Sequence, residues 1–287
     1  MIWQTSRRAI ALEKTLVMAI LNVTPDSFSD GGKFFLIDEA LKQAEKLIEA
    51  GADILDIGGE STRPNCARVS AEEEIGRVVP IIEAIKKRFD IAVSIDTSKR
   101  EVAEKAIETG AEIINDVSGL RFDERIAEVA AKYQTGLVLM HLRGTFETMH
   151  QPKPVENILS EVEKGFRWSI GKAKGFGVKD ETIALDVGIG FSKTLEQNLE
   201  LIAKLDRLVN EFPNFPMLVG TSRKSFIGKI LGDAPTTKRL QGSLASAAIA
   251  VWNGAKIVRV HDVRETKEII KVIEAIKNQA ENCKNAF

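Results

Sequence analysis

Cysteine is scarce in the 287-residue chain: Cys66 and Cys283 are the only two, far apart and without metal-ligand spacing. A disulfide framework is thereby excluded, and a reduced, cytoplasmic setting is expected. A dominant charge is also missing. Forty Lys and Arg stand against 41 Asp and Glu, a formal net charge of -1, so no global positive field draws in nucleic acid or an anionic membrane, and any anion site must be local. The three histidines never stand at His-x-His or His-x-x-x-His spacing, which argues against a hydrolase holding a metal through His141 and His261. The first residues, MIWQTSRR, form no apolar signal core, and no later stretch reaches the roughly 18 apolar residues of a membrane span. Internal repeats, low-complexity tracts and linkers are absent too. Hydrophobic residues make up 44% of the chain, enough to bury a sizeable core, so residues 1–287 are expected to form one domain.

What is present is an alternation. Short apolar runs at 16–21, 54–57, 91–95, 112–114, 137–140, 183–185, 217–219 and 257–260 are each followed by a longer stretch of helical periodicity. Eight βα units in this length predict a closed (β/α)8 TIM barrel over 16–287 rather than an open doubly wound sheet. Residues 1–15 alternate weakly, as a short N-terminal hairpin over the barrel floor would. Ser70 with Glu73 and Ser98 with Glu101 carry the capping-box pattern, and Gly51 and Gly110 supply helix stops. Leu41, Ala44 and Ile48 in the first helix, and Leu199, Ile202, Leu205 and Val209 in the sixth, form core stripes. Pro80 falls inside the second helical pattern, so that helix must kink there or start later than Ser70 suggests.

In such a barrel the chemistry sits at the C-terminal strand ends, where this sequence turns polar. The runs end at or lead to Asn22, Asp56 and Glu60, Asp96, Asn115 and Asp116, His141, Asp186, Arg223 and Lys224, and Arg259 and His261. Any one of these reads equally as a turn former or a helix cap; together they read as a site. Acids and amides come from runs three, four and six, and bases follow runs two, seven and eight. A substrate with a hydrogen-bond-donating ring at one end and a polyanion at the other fits that division. Two glycine-containing loops, 22–32 and 58–64, have the composition of lids.

Eight motifs in order resemble those of the dihydropteroate synthases: LNVTPDSFSDGG at 21–32, DIGGESTRP at 56–64, SIDT at 94–97, INDVSG at 114–119, VLMH at 138–141, DVGIGF at 186–191, SRKS at 222–225 and RVH at 259–261. The resemblance implies a transferase of folate biosynthesis that joins a dihydropterin diphosphate to 4-aminobenzoate with loss of pyrophosphate. It implies that Asp96, Asn115, Met140, Asp186, Phe191, Lys224 and Arg259 hold the pterin, and that Asn22, Thr62, Arg63, Arg259 and His261 hold the diphosphate. Phe28, Thr62, Pro64, Lys224 and Ser225 would line the aminobenzoate pocket, which sulfonamides would share. Asn22 and Asp30 would ligate Mg2+, and Asp96, Lys224, Arg63 and Asp30 would carry catalysis. A homodimer through barrel helices is implied as well, with small molecules rather than nucleic acid or membrane as partners. Val187, Ser192 and the pair Asn65 and Cys66 depart from the usual residues without losing a charged or hydrogen-bonding position. Two rivals share the pterin pocket: a methyltransferase acting on methyltetrahydrofolate, which would not need Thr62, Arg63, the metal pair or SRKS, and a non-catalytic pterin-binding paralogue, against which Asn22, Asp30, Arg63, Asp96 and Lys224 argue.

Overall fold

The computed structural model describes residues 1–23, 33–61 and 66–284. Among these, a two-stranded hairpin, β1 (Ile2–Gln4) and β2 (Ala9–Ala11), precedes eight parallel strands that close into a barrel. The barrel strands are β3 (Leu16–Asn22), β4 (Ile54–Gly58), β5 (Ala92–Asp96), β6 (Ile113–Asp116), β7 (Gly136–Met140), β8 (Ile183–Asp186), β9 (Met217–Val219) and β10 (Ile257–Val260). Each pairs with its neighbour in sequence, and β10 closes on β3 with Val258 opposite Val17. The outer layer consists of α1 (Lys33–Glu49), α2 (Ala71–Arg88), α3 (Arg100–Thr109), α4 (Ile126–Tyr133), α5 (Ile158–Gly175), α6 (Leu195–Ala203), α7 (Leu205–Glu211), α8 (Ser225–Ile230), α9 (Leu240–Trp252) and α10 (Val263–Lys284).

Strand alternation sorts the apolar residues into two cores. Leu16, Met18, Ile54, Ala92, Ile113, Val138, Ala184, Leu218 and Ile257 fill the lower barrel interior, while their odd-phase neighbours, such as Val17, Leu55, Val93 and Leu139, pack under the helices. The hairpin seals the lower end. Trp3 and Leu12 are buried in the inner cluster, and the Trp3 indole donates to the Thr182 carbonyl at 2.8 Å. A Cβ on Gly136 would stand 3.2 Å from the Trp3 ring, which is why β7 opens with glycine.

Helix α2 starts at Ala71, directly after Ser70, and runs through Pro80 to Arg88. The Ser70 side chain accepts from the Glu73 amide, as its pattern predicts, but the pattern at Ser98 forms no cap. Helix α3 starts at Arg100, whose amide donates instead to Asp123 from the loop before α4; a tertiary acceptor replaces the local one. A full capping box closes at Thr194 and Gln197. The sixth helical stretch breaks into α6 and α7 at Lys204, and Leu199 is exposed, the buried stripe being Leu201, Ile202, Leu205 and Leu208.

Candidate functional site

The alternation that buries Ile54, Ala92, Ile113, Val138, Ala184 and Ile257 inside the barrel points the residue two positions later inward as well. Those residues are Asp56, Ser94, Asn115, Met140, Asp186 and Arg259, with Asp96 one further step along β5. A polar layer thus lies on the apolar one at the C-terminal end, and strand pairing sets its order: Asp96 opposes Gly58 and Asn115, and Met140 opposes Asp186. The opposite phase removes two strand-end residues from this group. The Asp116 carboxylate accepts from the Ser118 amide and hydroxyl and the Leu120 amide, holding the turn after β6. His141 packs its ring against Gly165 on α5, where a Cβ would come within 2.4 Å of it.

Arg259 is the hub of the inward layer. Its Nε donates to Asp56 and a terminal nitrogen to Asp96, each at 2.6 Å, while the Asn115 amide nitrogen donates to the same Asp56 oxygen at 3.1 Å. Burial lowers the Arg259 pKa, but Asp56 and Asp96 outweigh it and hold it above the ordinary value. Burial pushes Asp96 up to about 7; Arg259 opposes, and Asp56, Glu74 and Asp116 add to the rise. Asp186 is also raised by burial, against Lys224 and the Gly188 amide, which donates to it at 2.7 Å. Lys224, drawn down to about 8 by burial and upward by Asp186, bonds the Ile189 carbonyl and lies 4.3 Å over the Phe191 ring. Phe191 packs with Met140, Val117, Leu142 and Met149, giving the site an apolar wall beside its charges.

Lys193, which the strand-end reading passes over, holds that wall in place. Its buried ammonium donates to the carbonyls of Gly188 at 2.8 Å, Phe191 at 3.1 Å and His141 at 3.3 Å, tying the turn after β8 to the end of β7. Burial depresses its pKa well below the ordinary lysine value. In the same turn, Ser192 adopts a left-handed conformation with φ 52, and its hydroxyl donates to the carbonyls of Arg143 at 2.5 Å and Met149 at 3.1 Å; these bonds offset the strain of a side chain there.

Asn22 closes β3, and Gly58 leaves open the space beside it: a Cβ there would stand 3.6 Å from Asn22 Oδ1 and 3.7 Å from Asp96 Oδ2. Asn22 Oδ1 is a hard oxygen donor of the kind a cation takes when it completes its shell with water and phosphate oxygens, while Asp96 Oδ2 is already held by Arg259. Among the described residues, no three His, Cys, Asp or Glu are grouped to hold a metal by themselves. His261 Nδ1 lies 3.0 Å from Ser222 Oγ, linking the segments after β9 and β10, and Ser225 is exposed at the start of α8. Cys66 is half-buried and hydrogen-bonded to Ser61 at 3.1 Å. Phe28, Asp30, Thr62, Arg63, Pro64 and Asn65 lie outside the described residues, as do residues 24–32 of the first lid loop.

Residues 18–261 match the pterin binding enzyme family. Over 265 residues the chain is 51% identical to the dihydropteroate synthase of Clostridium beijerinckii, covering 92% of this chain and 95% of that one. The chain belongs to the dihydropteroate synthases. It is therefore a transferase of folate synthesis, and solved structures of other synthases share its fold. The Yersinia pestis synthase in a sulfonamide drug complex superposes with a TM-score of 0.90 at 41% identity, covering 97% of this chain and 100% of that one. The Xanthomonas albilineans synthase with 4-aminobenzoic acid superposes with a TM-score of 0.89 at 37% identity, covering 96% and 98%. Among the described residues of this synthase, no helix is long and apolar enough to cross a membrane.

Proposed function

We propose that the inward polar layer binds the ring of a (7,8-dihydropterin-6-yl)methyl diphosphate and that the chain joins its methylene carbon to the nitrogen of 4-aminobenzoate, giving 7,8-dihydropteroate and pyrophosphate. The observation that carries this reading is the convergence of Asp96, Asn115, Asp186, Lys224 and Arg259 on one end of the barrel beside the Met140 and Phe191 wall. A pterin offers a 2-amino group and ring N–H donors. Asp186 and Asp96 accept them as carboxylates, and Asn115, whose amide nitrogen is given to Asp56, presents its oxygen. The flat ring packs on Met140 and Phe191 and stacks on the Arg259 guanidinium.

The carbon–oxygen bond to the diphosphate breaks, and the electron pair leaves with pyrophosphate. The aniline nitrogen attacks the resulting pterin-methyl cation, and its proton passes to solvent. Asp96 places negative charge near the developing cation, while Lys224, Arg63 and His261 meet the departing anion. Asn22, with Asp30, would hold a magnesium ion, which when bound neutralises charge on the leaving pyrophosphate. Phe28, Thr62, Pro64 and Ser225 would form the aminobenzoate pocket, the place a sulfonamide would occupy. Two copies of the chain pair through α8, α9 and α10, whose Ile230, Ile249, Trp252, Val272 and Ile276 are exposed together with Leu231 and whose helices pack side by side: the Lys277 ammonium donates to the Val251 and Trp252 carbonyls at 3.2 Å.

Pyrophosphate release followed with each component omitted in turn tests the reaction. Release is expected only with magnesium, the pterin diphosphate and 4-aminobenzoate together. Equal release without 4-aminobenzoate would make the chain a hydrolase, and methyl transfer from methyltetrahydrofolate would favour the methyltransferase reading.

A further inference from the structure

Asp56 has no exposed surface, yet it is ionically and sterically central to the site. It lies on β4, whose barrel neighbours are β3 and β5. Its Oδ2 nevertheless accepts across the interior from two strands that are not its neighbours: Arg259 Nε on β10 at 2.6 Å and Asn115 Nδ2 on β6 at 3.1 Å. The first bond is charge-assisted and takes the edge of the guanidinium, which leaves the planar group little freedom to rotate. The second fixes which end of the Asn115 amide faces the ring, because a carboxylate can only accept. Asp96 shares the same guanidinium through a terminal nitrogen, so without Asp56 the whole Arg259 charge would turn toward Asp96. A buried carboxylate with one oxygen, Oδ1, lacking any hydrogen-bond partner is unfavourable for stability; its evident effect is to orient two groups that face the ligand.

We propose that Asp56 is a positioning residue of the pterin site: it locks Arg259 and Asn115 in their ring-binding orientation without touching the ring. The proposal rests on the pterin reading of the site. Asp56→Asn keeps the volume but removes the charge and one acceptor role. Calorimetric titration with 6-hydroxymethyl-7,8-dihydropterin should show affinity reduced about tenfold or more, the equivalent of one charge-assisted hydrogen bond, with the stoichiometry per chain unchanged. A role in stability alone would lower the stoichiometry or the unfolding temperature and leave the affinity of the folded fraction intact. The loss should also shrink at least about threefold in an Arg259→Met background, because one of the two groups that Asp56 acts through is then gone. Parent-like affinity in Asp56→Asn, or a loss undiminished in the Arg259→Met background, overturns the proposal.

A measurement on the unaltered protein covers a variant that fails to fold. In the ligand-free chain labelled with nitrogen-15, the Arg259 Nε–H resonance, assigned by its disappearance in Arg259→Lys, should be protected from solvent exchange. Exchange at the solvent rate would overturn the proposal. Failure of the parent to bind the pterin at all would instead sink the proposed function, and the resonance test, read without ligand, separates the two failures.

Discussion

Asp96 carries the most informative electrostatics of any single residue in the site. Burial raises its pKa to about 7 from 3.8, with Arg259 and Lys224 facing it on one side and Asp56, Glu74 and Asp116 on the other. The folded, empty protein therefore holds this proton more tightly than the unfolded chain does. Asp96 contributes stability below about pH 4, and that contribution is lost as pH rises through about 7. Pterin donors require the ionised carboxylate, so binding must expel the proton. At pH 6, pterin binding is expected to release up to one proton and to weaken nearly tenfold for each further unit of acid. Calorimetry in two buffers of different ionisation heat reads the release, which should vanish in Asp96→Asn; no release in the parent would contradict the assignment. At this scale the sequence was partly legible. Asp96, Asn115, Asp186 and Arg259 stand out because a polar residue ends or interrupts an apolar run. Asp56 was named among the polar strand ends but given no role, and Lys193 was passed over, since an Asp inside a strand and a Lys on a loop acquire their meaning only from partners 203 residues away, as for Asp56 and Arg259, or from a backbone turn that folds around the ammonium.

Among the elements, the N-terminal hairpin shows how a short segment can matter out of proportion to its length. Strands β1 and β2 have three residues each, too few for independent stability, and they persist because Trp3 and Leu12 close the barrel floor. Trp3→Ala should cost about 3–5 kcal/mol, combining lost burial with a cavity, and should leave the Thr182 carbonyl without its indole donor. Urea titration measures the loss, while the pterin affinity of the folded fraction should hold because the ligand meets the other end of the barrel. A loss under about 1 kcal/mol would show that the floor is not sealed this way. Strand positions were readable from their apolar runs to within a residue or two, several strands extending one residue into the polar end that the site uses. Helix starts were less readable. Ser98 forms no cap because Asp123, distant in sequence, reaches the Arg100 amide, and such tertiary substitutions leave no local pattern.

For the whole molecule, short apolar runs alternating with helical stretches were enough to specify the barrel, and closure onto one rim then gathers the inward polar residues. What local sequence could not specify is which of two adjacent strand-end residues faces inward: Asn115 rather than Asp116, and Met140 rather than His141, follow from the phase of each strand within the closed barrel. The proposed homodimer belongs to this scale too. Trp252→Glu places a charge on the exposed α9 face and should convert dimer to monomer in light scattering while leaving the fold intact; an unchanged mass would move the interface elsewhere. The central claim, that strand phase builds a pterin site at the C-terminal end of the barrel, is tested most directly by calorimetric titration of dihydropterin into the parent and into Asp186→Ala. Asp186 serves two donors, each charged hydrogen bond contributing about 1.5–3 kcal/mol, and burial of its charge opposes folding of the empty protein. The predicted result is an affinity lower by at least tenfold in a variant no less stable than the parent; equal affinity in the two proteins would contradict the claim.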